Sequence, residues 1–324
     1  MEHLILQKQD LIEKHNSITL LSVLRDELLL LPYFIDYYKD LGVDNFIFID
    51  NNSTDGSLQY LFQRRDVNIT LYHTIHSYKE ALYGTEWINM LLDKYCKDKW
   101  CIVVDIDELL YIRENTIHDL IHKMEKQQCN LSYQLLLDMY PKSTNINDYN
   151  TGSNFIQHSN YYDKYSPEYN IPEYPPNNTF LIKGGIRKRV FGTDNTITKT
   201  SLFKYTFYNN LELDVGYHLL KCRFCGELWE NDPDRHYLLE NIKIYPEMNI
   251  LLHFKFIKPN LIDFFTKRID NNQDWDNSSE YQHYLDNFKT SFYNEKYSIK
   301  YLDKTKLYLD MKPYFKLLEN IINP

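Results

Sequence analysis

The sequence predicts an α/β protein built on an open, mostly parallel sheet with helices on both faces. Two observations lead there. In the first third of the chain, short apolar runs alternate with stretches whose apolar residues recur at helical spacing. The runs are continuously apolar rather than alternating, which marks strands buried on both faces. Their polar ends at Arg25, Asp50 and Asp105 are then candidates for one cleft, because open α/β sheets bind ligands at the carboxyl ends of their strands.

Taken in order, "SITLLSVL" over 17–24 has strand length, and "RDELLLLPYFIDYYKDLG" follows with helical periodicity and Gly42 as a C-cap. "VDNFIFID" is the second strand and ends in "NNSTDGS", where Asp55 or Ser53 is the expected cap of a helix running toward Arg64. "VNITLYH" is the third strand and leads into a helix over about 78–97. The fourth strand is "WCIVVDID", with Asp105 and Asp107 near its end.

After Asp138 the pattern changes to turn-rich sequence with Pro167, Pro172, Pro175 and Pro176, which reads as long loops of the kind that form lids or binding segments. "FLIKGGIRKRVFG", "ITKTSLFKYTF" and "ILLHFKFI" read as further strands, and from Asn260 onward the sequence reads as helices with charged faces.

Composition narrows the functions available. The 324 residues are 43% hydrophobic and carry 36 basic and 45 acidic side chains, a formal net charge of −9, with no run of lysines or arginines. That argues against a general nucleic-acid binder. Five scattered cysteines, an odd number at irregular spacing, read as reduced thiols rather than a disulfide framework. The pair Cys222 and Cys225 has no second such pair to close a zinc site, and His236 is the one further ligand that suggests itself. The N-terminal stretch lacks a basic segment followed by a sustained apolar one, and no apolar run reaches the length of a membrane span. A cytoplasmic protein with no transmembrane segment is expected, with peripheral membrane association left open.

Asp105 and Asp107 are one residue apart, so on a strand both side chains point to the same face. Two such carboxylates, about 6 to 7 Å apart, repel each other unless a cation lies between or beyond them. A hard divalent ion, Mg2+ or Mn2+, bridging to phosphate oxygens answers that need. The structural alternative is a capped, solvated strand end.

A strand ending in "RDE", a second ending in "DNNSTDGS" and a fourth ending in "DIDE" resemble glycosyltransferases of families 2 and 92, which have a GT-A fold. "GGIRKRVFG", "TKTSLFKY", "GYHLL" and "LLHFKF" follow in the order and spacing of those relatives. The resemblance covers roughly 19–256. It implies a Rossmann-like GT-A domain over 1–259, with a nucleotide-sugar half at about 17–112 and an acceptor half at about 138–259. Residues 260–324 would form a helical extension.

The resemblance also implies roles. Asp105 would face the ribose or the metal, Asp107 would ligate the metal, and His253 would supply a further ligand. Glu108 would orient a metal-bound water or the donor sugar. Asp50, Asn51 and Asn52 would line the base and ribose pocket, although a turn with a helix cap uses the same residue types. Arg25 and Glu27 would sit beside the donor, with Arg25 pairing either with phosphate or with a neighbouring acid. Lys79 and Tyr83 are donor contacts or surface positions.

Gly184 and Gly185 allow close backbone approach. Arg187 and Arg189, read as alternating on a strand, suit a diphosphate or acceptor, or simply form a basic solvated face. Lys199, Lys204 and Lys255 are similar candidates, and His218 is an acceptor contact or a structural residue.

The reaction implied is inverting transfer from a nucleotide sugar, UDP-linked by preference, to a glycan, lipid-linked or protein acceptor. Mn2+ or Mg2+ would be the cofactor, and Asp214 or Glu227 the catalytic base. Two other classes compete. A haloacid-dehalogenase-type phosphatase would use Asp105 as nucleophile and Asp107 as acid, but Glu108 stands where that motif has Thr or Val. A non-catalytic, glycan-binding protein of the same fold has no need for repelling carboxylates at its strand ends.

Overall fold

The computed structural model describes residues 3–11, 16–144, 149–173, 180–206, 211–218, 220–222 and 242–322. In chain order the elements begin β1 (Ile5–Gln9), β2 (Thr19–Leu24), α1 (Leu31–Leu41), β3 (Asn45–Asp50), α2 (Ser57–Gln63), β4 (Asn68–His73), α3 (Thr85–Tyr95) and β5 (Lys99–Val103). They continue with β6 (Glu108–Tyr111), α4 (Ile117–Lys126), β7 (Leu131–Asp138), α5 (Phe155–His158), β8 (Tyr161–Asp163), β9 (Asn170–Glu173), β10 (Leu181–Gly184) and α6 (Gly185–Phe191). Last come β11 (Thr198–Tyr205), β12 (Leu211–Leu213), β13 (Leu220–Cys222), β14 (Asn249–His253), α7 (Leu261–Asn271), α8 (Trp275–Asp286), β15 (Ser298–Lys300), α9 (Lys304–Asp310) and α10 (Lys312–Ile322).

The chain is α/β and divides into two units. Unit 1 takes Met1–Ile106, Glu114–Tyr133 and Lys199–Tyr245, and unit 2 takes Asp107–Arg113, Gln134–Thr198 and Pro246–Pro324. In unit 1, β2, β3, β4 and β5 are parallel in the spatial order β4-β3-β2-β5, with β1 antiparallel on β4 and β11 antiparallel on β5. Successive strands step outward from β2 through β3 to β4, and β5 then returns to the other side of β2. The strand order therefore reverses between β2 and β5, and a ligand crevice is expected at the carboxyl ends there.

Local sequence explains these elements. Every residue of β3, "NFIFID", is buried, as a strand covered on both faces requires. Helix α1 starts later than its apolar pattern suggested, with Pro32 in its first turn, where the missing N–H costs nothing. It ends at Gly42, whose φ of 105° supplies the left-handed C-cap. It buries Leu31, Phe34, Ile35 and Tyr38 along one stripe. Helix α3 begins only at Thr85, because Leu82, Tyr83 and Gly84 all have positive φ and break the run expected from residue 78. The cap of α2 also differs from expectation: its N-cap is Gly56, while Asp55 Oδ1 accepts the N–H of Ser57 at 2.9 Å.

In unit 2, β14 lies parallel to β7 and antiparallel to β6. The register sets His253 opposite Asp138 on one side and opposite Glu108 on the other. An aromatic core joins α6, α7 and α8 to the segments that follow β14 and α8: Phe191, Phe256, Phe265, Tyr281, Tyr284 and Phe292 are all buried in it. Each fully buried side chain of this size contributes roughly 1.5–3 kcal/mol. Strand and helix exchange places at "GGIRKRVF": β10 stops at Gly184 and the arginines lie on α6, so they do not alternate along a strand. Similarly, β14 ends at His253, which leaves Lys255 beyond the strand.

Gly184 makes that strand-to-helix junction possible. Its φ is 129°, and a Cβ built there would lie 1.3 Å from the carbonyl oxygen of Tyr169. No side chain fits, so Gly184→Ala is expected to cost more than about 4 kcal/mol, in the range of severe backbone and packing conflicts. Urea unfolding of the two proteins measures this, and a loss under about 1 kcal/mol would contradict the close approach.

Candidate functional site

In unit 1 the loops after β2 and β3 are stitched together. Asp26 N–H donates to Ser53 Oγ at 2.9 Å, and Asp26 Oδ1 accepts from Thr54 N at 2.6 Å. Glu27 N–H reaches Ser57 Oγ at 3.0 Å, and Leu28 N–H reaches Asp55 Oδ2 at 2.8 Å. "RDE" and "NNSTDGS" thus form one hydrogen-bonded rim at adjacent strand ends. Arg25 is exposed on it, 4.0 Å from Asp26, and Asn52 is exposed with a left-handed φ of 59°.

Asp50 is fully buried at the end of β3. Its Oδ2 takes His73 Nδ1 at 3.0 Å and Ser53 N–H at 3.2 Å, while its Oδ1 is buried with no hydrogen-bond partner among the described residues. An unmatched buried carboxylate oxygen is costly, so this atom is a ready acceptor for a ligand N–H or O–H. Asn51 is committed elsewhere, since its amide donates to the carbonyl oxygens of His76 at 2.8 Å and Thr74 at 3.4 Å.

The two central aspartates do not lie on the strand. β5 ends at Val103, and Asp105 and Asp107 belong to the turn before β6, so their alternation along a strand does not set their direction. Asp105, in unit 1, is 43% exposed and accepts from Lys199 Nζ at 3.0 Å. The buried ammonium of Lys199 also stands 5.6 Å over the ring of Tyr217. Glu108 opens β6 and is buried.

In unit 2, Asp107 Oδ2 is 3.5 Å from His253 Nε2. His253 Nδ1 is 2.6 Å from Asp138 Oδ1, and the other oxygen of Asp138 accepts from Arg187 Nε at 2.9 Å. Arg187 continues to Glu280 at 3.5 Å, which also holds Lys255 at 3.3 Å and Asn195 at 3.0 Å and accepts from the Tyr284 hydroxyl. Arg187 and Lys255, expected to face phosphate, are therefore paired with internal carboxylates. Arg189 pairs with Asp163.

The charges in this chain of contacts set one another. Burial pushes the His253 imidazole down, but Asp107 and Asp138 outweigh it and raise it to about 9. Burial pushes Asp107 up, yet the charge of His253 holds it well below the usual carboxylate range. Glu280 is likewise raised by burial and lowered further by Lys255 and Arg187, to about 2.

Asp214 is in unit 1, where its Oδ1 caps a single 3-10 turn by accepting from Val215 N–H at 2.9 Å. It lines a cavity of about 360 Å³ together with Leu82, Thr85, Asn89 and Leu213. Glu227, Cys225 and His236 lie outside the described residues. Cys96, Cys101 and Cys129 are free and buried. Among the described residues, no three His, Cys, Asp or Glu side chains are grouped so as to hold a metal ion; of the expected ligands Asp105, Asp107 and His253, the last two stand 3.5 Å apart.

No family model and no curated protein matches this sequence. Among solved structures, HddC from Yersinia pseudotuberculosis is similar over 58% of this chain and 76% of that chain, at 12% identity and a TM-score of 0.31. A likeness at that level carries no functional argument. Among the described residues, no helix is long and apolar enough to cross a membrane.

Sequence reading missed three residues that the structure places in these clusters. Asp138 carries the same mark as Asp50, an acid ending an apolar run in "QLLLD", and was legible on that ground. His73 ends "ITLYH" in the same way. Glu280 lies in a polar helix with no distinguishing pattern, and only packing reveals it.

Acid titration tests the Glu280 contacts. Because its carboxyl is lowered from 4.5 to about 2, its contribution is full above pH 4.5 and is lost as pH falls through 2. Urea midpoints taken from pH 7 to pH 2 are expected to fall in that window. Glu280→Gln should flatten the fall and lower stability already at pH 7, because Lys255 and Arg187 lose their shared counter-charge.

Proposed function

We propose that this chain is a metal-dependent glycosyltransferase of the GT-A type, moving a sugar from a nucleotide-sugar donor, UDP-linked by preference, to a hydroxyl acceptor with inversion. The observation that carries the reading is a buried histidine aimed at an aspartate. His253 Nε2 faces Asp107 Oδ2 at 3.5 Å while Nδ1 is committed to Asp138. Metal-ligating histidines tie their other ring nitrogen to a carboxylate in the way Asp138 holds Nδ1.

Mn2+ or Mg2+ would be held by the Asp107 carboxylate with phosphate oxygens and water as further ligands, and the imidazole nitrogen of His253 suits Mn2+ better than the harder Mg2+. When bound, the ion supplies Lewis-acid neutralisation of a departing diphosphate.

The residues of the chain account for the rest. Asp50 offers its unmatched Oδ1 to an N–H of the base or a hydroxyl of the ribose. Asp105, held by Lys199 Nζ at 3.0 Å, would accept from a donor hydroxyl. Arg25 is exposed on the same rim as Asp26 and is available to phosphate. Asp214 lines a cavity of unit 1 and is the carboxylate assigned to take the acceptor proton. Arg187 and Lys255 do not contact the donor in this scheme; they supply counter-charge to Asp138 and Glu280.

A panel of UDP- and GDP-sugars incubated with the protein and MnCl2 tests the reading through release of the nucleoside diphosphate. Release is expected with one donor, dependent on Mn2+, and reduced at least about 100-fold by Asp107→Ala. Asp50→Ala is expected to raise KM for that donor with a smaller change in kcat. Absence of release from every donor, or release that survives Asp107→Ala, would overturn the proposal.

A further inference from the structure

We infer that Asp138, clamped by Arg187, is a positioning residue that fixes the ring of His253 and presents its Nε2 to Asp107. The part of this inference that concerns a metal rests on the function proposed above; the part that concerns the ring does not.

Asp138 accepts and cannot donate when ionised, so its 2.6 Å contact with His253 places a proton on Nδ1. In a neutral imidazole the lone pair is then on Nε2, the atom that faces Asp107 at 3.5 Å. The backbone prepares the contact. β7 and β14 set Asp138 directly opposite His253, and Met139 N–H donates to the His253 carbonyl at 2.7 Å.

The carboxylate of Asp138 has no freedom to turn away. Its Oδ2 receives Arg187 Nε at 2.9 Å, and both side chains are almost fully buried. Arg187 reaches it because α6 begins at Gly185, where a Cβ would lie 3.8 Å from that same oxygen. Glu280 then holds the far end of Arg187. A residue serving only to neutralise Arg187 would offer it both oxygens in a bidentate pair. Asp138 divides its oxygens between arginine and imidazole instead.

Two readouts on the full-length protein test this. In metal-free protein labelled with 15N-histidine, a downfield imidazole N–H resonance is expected and is assigned by its loss in His253→Gln. Asp138→Ala should abolish it, and Asp138→Asn, which keeps a carbonyl acceptor of the same size, should shift it upfield without removing it. Mn2+ titration followed by electron paramagnetic resonance should show affinity weakened roughly 10–100-fold in Asp138→Ala, with partial recovery in Asp138→Asn.

If Asp138→Ala does not fold, the Asn variant carries both comparisons. A resonance unchanged in the folded variants, or Mn2+ affinity unchanged in them, overturns the positioning role. Wild-type protein that shows the resonance but binds no Mn2+ overturns the glycosyltransferase reading instead, and the resonance comparison still decides the role of Asp138.

Discussion

A buried charge must meet an opposite one, and in unit 2 this rule organises everything around the candidate site. Asp107, His253, Asp138, Arg187, Glu280 and Lys255 form a sequence of contacts in which acid and base alternate. Removing one member of such a chain leaves a neighbour uncompensated, which typically costs 3–5 kcal/mol. The elements that bring these residues together are therefore tied to one another more tightly than their apolar contacts alone require. This explains why α8 matters to the site although its sequence has no motif: it delivers Glu280, which holds Arg187 and Lys255 together.

Backbone geometry serves the same network. The parallel register of β7 and β14 sets acid opposite histidine, and the early end of β14 lets Phe254 N–H turn onto the carbonyl of Asp107 at 2.8 Å. Gly184 lets α6 start where any side chain would collide with Tyr169, and Gly185 takes a left-handed backbone there, with φ 76°. Each of these features is local, and each is justified by a long-range contact.

Unit 1 follows a different logic. Its strand order reverses between β2 and β5, and short polar residues lace the loops after β2 and β3 into a rim without burying opposite charges in series. Asp50 is the exception. It is buried, half satisfied by His73 and Ser53, and has one oxygen unmatched among the described residues. Stability alone would not favour that arrangement. A ligand would complete it.

The alternation of apolar runs and helical periods was enough to place β2 to β5 and α1 to α3 in order, because continuous apolar strands and amphipathic stripes are local properties. Acids at the ends of apolar runs likewise marked Asp50, Asp105 and Asp107. Three readings failed where spacing was read without context. Asp105 and Asp107 lie past the strand that was to orient them, the arginines after Gly185 lie on a helix, and Lys255 lies past β14. Each boundary was decided by a contact distant in sequence. The sequence by itself determined the α/β class and marked Asp50 as the carboxylate that ends a buried strand, since burial periodicity and polarity are written residue by residue. Only the tertiary structure decided that Asp107 faces His253, that Asp138 and not a surface group holds that histidine, and that Arg187 and Lys255 turn inward to Glu280. Pairing of buried charges depends on which distant segments meet, and no local pattern encodes that.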